Sequence, residues 1–69
     1  MMSYLIKQEI AEDIKKKFRY PYLMKTIGIS KSYVSLILNR KKVVPKPVAY
    51  CLTKVVDKEA EIEDFFEVV

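Results

Sequence analysis

The side chains able to do chemistry in this chain are mostly cations. Lys15, Lys16, Lys17, Arg19, Lys25, Lys31, Arg40, Lys41, Lys42, Lys46 and Lys54 fall between Ile14 and Val56, and no Asp or Glu interrupts them. The acids are confined to Glu9, Glu12 and Asp13 before that block and to Asp57 onward after it, so the net charge of +4 understates the asymmetry. A block of one sign implies an anionic partner; the bland alternative is a solvated face with chance clustering. Other chemistries are poorly supplied. The chain has no His, one Cys and one Gly. It therefore lacks a His-dependent triad, the usual zinc sets, an internal disulfide and a glycine-rich phosphate loop. No enzymatic activity, metal, cofactor or small-molecule substrate is expected.

Inside the basic block, Tyr20 to Asn39 (YPYLMKTIGISKSYVSLILN) reads as helix, tight turn, helix. Pro21 suits a first helical turn, where its missing N–H is no loss. Leu23, Met24 and Ile27 recur at helical spacing, and Gly28 ends the helix because it enters the left-handed region cheaply. Ile29 is the apolar residue of the turn, and Ser30 is an N-cap for the next helix. That second helix, expected over 31–40, puts Val34, Ile37 and Leu38 on one stripe and Ser32, Ser35, Leu36 and Asn39 opposite. A small, polar outward face with Lys31 at its start and Arg40, Lys41 and Lys42 at its end suits a DNA groove, floored by base edges and flanked by phosphates. Lys31, Ser32, Ser35, Leu36 and Asn39 are expected to face the bases. Lys31 favours guanine acceptors, the serines are permissive and Leu36 fits a thymine methyl. Ser30, Tyr33, Arg40, Lys41, Lys42 and Lys46 are expected to hold phosphates.

Other elements must position this pair. Residues Met1 to Ser3 are expected to fray. A first helix is expected over 4–18, with Ile6, Ile10, Ile14 and Phe18 as an i, i+4 ladder, Leu5 and Ala11 beside it, and Lys15 to Lys17 at the end that suits the helix dipole. Arg19-Tyr20-Pro21 breaks it. Lys41 to Pro47 reads as a loop in which Val43 and Val44 cover the edge of the core. A fourth helix over 46–56 buries the stripe Val48, Cys51, Leu52, Val55 and Val56, with Cys51 as core filler. A short acidic helix over 59–66 turns Ile62, Phe65 and Phe66 inward. The tail is open: DFFEVV also reads as an edge strand, and a terminal strand is a natural dimer contact. The expectation is one all-α domain over 1–69, a compact bundle of about five short helices.

The stretch resembles the helix-turn-helix of the Cro/CI-type (XRE-like) phage and bacterial repressors, through Leu23, Ile27-Gly28-Ile29-Ser30, Val34-Ser35, Ile37 and Asn39. Pro45, the stripe from Val48 to Val56 and Ile62-Glu63-Asp64-Phe65-Phe66 resemble that family's fourth and fifth helices. Two positions depart: Met24 stands where the family usually has Ala, and Arg40 follows Asn39 where it often has Gly. The resemblance implies a lambda-repressor-like fold and a transcriptional regulator of double-stranded DNA, a repressor of phage or mobile-element type. It also implies a homodimer on a two-fold operator. The front of the first helix of the pair would abut a phosphate, through the hydroxyl of Tyr20 or Tyr22. The competing reading is an antitoxin-like or adaptor module using the fold for protein contacts, supported by the acidic terminal helix with Phe65, Phe66, Val68 and Val69. A basic helix lying on a membrane surface is a weaker third. With no run of about 18 apolar residues and no secretory signal, a cytoplasmic location is expected.

Overall fold

The structure is a computed structural model and describes residues 2–69. In chain order the elements are β1 (Ser3–Ile6), α1 (Gln8–Lys17), α2 (Tyr20–Ile27), α3 (Lys31–Leu38), β2 (Val44–Pro45), α4 (Lys46–Val56), α5 (Ile62–Phe65) and β3 (Phe66–Val68). The chain is mostly helical, but it is not all-α. Three strands from its beginning, middle and end form an antiparallel sheet in the order β2-β1-β3.

The largest correction is therefore at the two ends. Ser3–Ile6 is not the front of a helix, and Ser3 is not frayed; Met1 lies outside the described residues. Tyr4 and Ile6 are buried and Ser3 and Leu5 half-buried, an alternation that only a strand produces. Ile6 continues the ladder of Ile10 and Ile14 in sequence, yet it reaches the same core from β1. The helix begins after Lys7. At the other end α5 is a single turn, closed by a capping box in which Asp64 accepts from the Glu61 N–H at 2.9 Å. Phe66–Val68 then pairs with β1, Ile6 opposite Phe66 and Tyr4 opposite Val68. The edge-strand alternative holds for the tail.

The central elements form where local signals put them. α2 starts with Pro21 in its first turn and ends at Gly28, φ 82°, whose N–H and that of Ile29 both reach the Met24 carbonyl. Ser30 caps α3, its Oγ accepting the Tyr33 N–H at 3.2 Å. α3 stops at Leu38 rather than residue 40. Beyond it the Arg40 N–H bonds the Ile37 carbonyl and the Lys41 N–H the Leu36 carbonyl, a Schellman closure with Arg40 at φ 57°. Arg40 thus holds the left-handed position that glycine often takes, because its side chain is rewarded elsewhere.

Leu23, Val34, Ile37, Leu38, Ala11, Ile14, Ala49, Leu52, Phe65 and Phe66 join Tyr4, Ile6 and Val44 in one buried cluster. Val44 is buried as the pairing partner of Tyr4, whereas Val43 is exposed. On α4 the buried face is rotated from the expected stripe. Ala49, Leu52 and Thr53 are buried, Val48, Val55 and Val56 half-buried, and Cys51 is exposed. Thr53 tolerates full burial because its hydroxyl donates to the Ala49 carbonyl at 2.8 Å, leaving its methyl to the core. A β-carbon added at Gly28 would meet nothing within 4 Å, so the cost of Gly28→Ala is purely that of the backbone conformation. Urea unfolding of this variant should show a loss of about 1 kcal/mol, with an unchanged denaturant slope.

Candidate nucleic-acid interface

Four of the five expected base-facing residues lie together. Lys31, Ser32 and Leu36 are exposed and Ser35 half-buried, and with Tyr20 they line one shallow depression along α3. Val34, Ile37 and Leu38 are buried on the far side, which fixes how α3 is rolled against the core. Leu36 is 40% exposed, an apolar side chain on the outward side of the helix. Tyr20, the first residue of α2, packs its ring partly against the core, so it borders the depression as a wall.

The fifth residue is placed otherwise. Asn39 lies one step past α3, and its amide is engaged within the chain. Its Nδ2 donates to the Ser35 carbonyl at 2.9 Å and to Ser35 Oγ at 3.2 Å, and its Oδ1 accepts from Lys15 Nζ at 2.7 Å. The side chain is turned toward α1, a contact out of reach of sequence reasoning because Lys15 is 24 positions earlier. Arg40 departs further. Its Nε donates to the Ile6 carbonyl at 2.9 Å and its Nη2 to Glu67 Oε2 at 3.1 Å. Instead of reaching for a phosphate, it ties the end of α3 to β1 and β3.

The remaining cations are less committed. Lys41, Lys42 and Lys46 are exposed. Lys42 Nζ lies 5.8 Å from the centroid of the half-buried Tyr33 ring, a cation–π contact that draws the segment after α3 back along it. Ser30 is spent in part on capping. At the junction of α1 and α2, Lys17, Phe18, Arg19 and Tyr22 line a second shallow depression, with the Phe18 and Tyr22 rings stacked at 5.8 Å. Lys17 also pairs with Asp13 at 3.2 Å, exposed on both sides.

Compared with protein-family models, with curated proteins and with solved structures, the chain matches none.

The chemistry must therefore be read from the surface itself. Its groups are an ammonium, hydroxyls, the apolar Leu36 side chain beside the Tyr20 ring, and further ammonium groups after α3. They can neutralise and hydrogen-bond an anion that carries an edge to be read. Among the described residues no helix is long and apolar enough to cross a membrane.

The latch at Arg40 has a measurable signature. Arg40→Ala loses both side-chain contacts but keeps the left-handed backbone, at a cost of roughly 1–2 kcal/mol, the Glu67 contribution being discounted for its exposure. Arg40→Gly loses the same contacts while relieving the backbone. Urea midpoints should fall in the order parent, Arg40→Gly, Arg40→Ala. Equal midpoints for the two variants would show that the backbone conformation carries no cost.

Proposed function

We propose that the chain is a sequence-specific, double-stranded-DNA-binding transcriptional regulator that lays α3 in the major groove. The observation that carries the reading is the depression of Lys31, Ser32, Ser35 and Leu36 on a helix flanked along the sequence by segments that supply cations and no acids. An α-helix fits the major groove, where each base pair presents its own pattern of donors, acceptors and methyl group. Lys31 would donate to guanine acceptors, Ser32 and Ser35 would serve either base type, and Leu36 would touch a thymine methyl.

Within this reading α2, the Gly28-Ile29-Ser30 turn and α3 are a helix-turn-helix of the Cro/CI type, and the protein is a repressor of phage or mobile-element type acting in the cytoplasm. Tyr20, Ser30, Tyr33, Lys41, Lys42 and Lys46 would hold the phosphates that set register. Asn39 and Arg40 are left out of the contact set, because the groups that would touch DNA are engaged inside the chain. A domain of this size spans few base pairs, so two copies would read half-sites about 34 Å apart, one helical turn. The antitoxin-like or adaptor reading finds its support in the exposed Val68 and Val69. Binding to duplex DNA at low salt separates the two.

The decisive experiment is a salt titration on selected and scrambled duplexes. Lys31→Ala or Leu36→Ala should alter base preference, at a cost of roughly 1–3 kcal/mol on the best site. Lys41→Ala or Lys42→Ala should weaken both duplexes about equally. Each should also lower the slope of log affinity against log salt by roughly one unit, since a neutralised phosphate carries no base information. If Lys41→Ala shifts base preference while Leu36→Ala does not, the loop after α3 is the reading element and the docking face is wrong. No duplex binding at any salt would sink the reading altogether.

A further inference from the structure

We infer that the junction of α1 and α2 carries a second binding site, a stacking platform for an unpaired, single-stranded segment of nucleic acid, with Tyr22 as its ring and Arg19 as its cation. The Phe18 and Tyr22 rings stack with centroids 5.8 Å apart and planes 24° from parallel. Phe18 is half-buried and packs against the core, so it holds Tyr22 from beneath. Tyr22 nevertheless remains 51% exposed. A ring supported on one face and open on the rest is a ready partner for a further flat ring.

The surroundings select an anion. Lys17 and Arg19 line the same shallow depression, and Lys25 stands three positions beyond Tyr22 on α2; all three are exposed. Lys17 is shared with Asp13, whereas Arg19 and Lys25 have no acidic partner among the described residues. A flat ring bordered by cations suits a base joined to a phosphate. Duplex DNA cannot fill the site, because paired bases stack on one another and show their edges rather than their faces. A lone nucleotide is also a poor fit. Every lining side chain is exposed or half-buried, and none is a polar group sunk deep enough to grip a base edge. A single strand gains instead by repetition, with bases on rings and phosphates beside cations. A lipid surface calls for a broad apolar face, and here Phe18 is half spent on the core.

The platform is separate from the depression along α3. Tyr20 and Tyr22 are two positions apart on α2, about 200° around the helix axis, and they line different depressions. Single-strand binding therefore needs no residue of α3. It stands or falls independently of the DNA-binding reading above, and it is tested without duplex.

The full chain is titrated at low salt, by fluorescence anisotropy, against a labelled oligothymidylate of about ten nucleotides. An abasic deoxyribose-phosphate oligomer of equal length carries the same charge without rings. The parent should bind the oligothymidylate at least about tenfold more tightly than the abasic strand. Tyr22→Phe keeps the ring and should bind as the parent does, while Tyr22→Leu should lose about tenfold with an unchanged circular dichroism spectrum. Arg19→Ala should lower the slope of log affinity against log salt by about 0.7. Leu36→Ala should leave single-strand affinity unaltered. In NMR spectra of the parent the Tyr22 ring protons should move upfield as the strand is added, a readout that needs no variant. Equal affinity for the oligothymidylate and the abasic strand overturns the proposal, and so does a Tyr22→Leu chain that binds as tightly as the parent. A loss in Leu36→Ala as large as that in Tyr22→Leu would place the strand on α3 and overturn it too. Binding to phosphatidylserine vesicles without binding to the oligothymidylate would assign the patch to a lipid surface instead. A chain that binds the single strand yet no duplex upholds the platform and overturns the reading of α3.

Discussion

The fold hangs on the burial of β1 between two strands that come from elsewhere in the chain. Ser3–Ile6 is too short to be stable alone. It is held by backbone bonds to β3 on one side and β2 on the other, and by Tyr4 and Ile6 in the core. α3 and α4 both pack against it. The Ile6 carbonyl then receives Arg40, so the back end of α3 is anchored to the central strand of the sheet. The front end of α3 is set by the Gly28 turn and the Ser30 cap. A helix fixed at both ends presents its outward side chains in one orientation, which any groove-reading surface requires.

The central elements were legible because their signals are local. Pro21, Gly28 and Ser30 bracket α2 and the start of α3 within a few residues, and Pro45 and Pro47 mark the start of α4. Of the sheet only β3 was legible, as the edge-strand alternative for DFFEVV; β1 and β2 were not, because they are four and two residues long and pair across much of the chain. Period-two alternation over four residues competes poorly with a helical ladder, and Ile6 happened to extend the ladder of Ile10 and Ile14. The same distinction divides the candidate site. The roll of α3 follows from Val34, Ile37 and Leu38, so Lys31, Ser32, Ser35 and Leu36 could be placed by spacing. Asn39 and Arg40 sit where the helix ends, and their partners Lys15, Ile6 and Glu67 are 24, 34 and 27 positions away. Cys51 was misplaced for a subtler reason: Thr53 satisfies its hydroxyl against its own helix and so counts as apolar.

Charge is only sparsely compensated among the described residues. Among the described residues only two ion pairs form, Lys17 with Asp13 and Arg40 with Glu67, and both are largely solvated. Pairs of this kind add little to folding. Apart from Lys17 and Arg40, the cations of the middle block repel one another without an internal acidic partner. Lys54 is an exception. It caps the turn after α4 by donating to the Ala60 carbonyl at 2.7 Å, and it lies over the Tyr50 ring. Position in the sequence block is therefore a poor guide to which cation is available, and contact geometry is the better one.

The two edges of the sheet are unlike. β2 is two residues long, and one of them is Pro45, which has no N–H to give. An added strand would find no full template there. A small, weakly stable sheet with two receptive edges would polymerise into a fibre as its concentration rose. With Pro45 at the far strand, the sheet offers an unbroken backbone template at one edge at most.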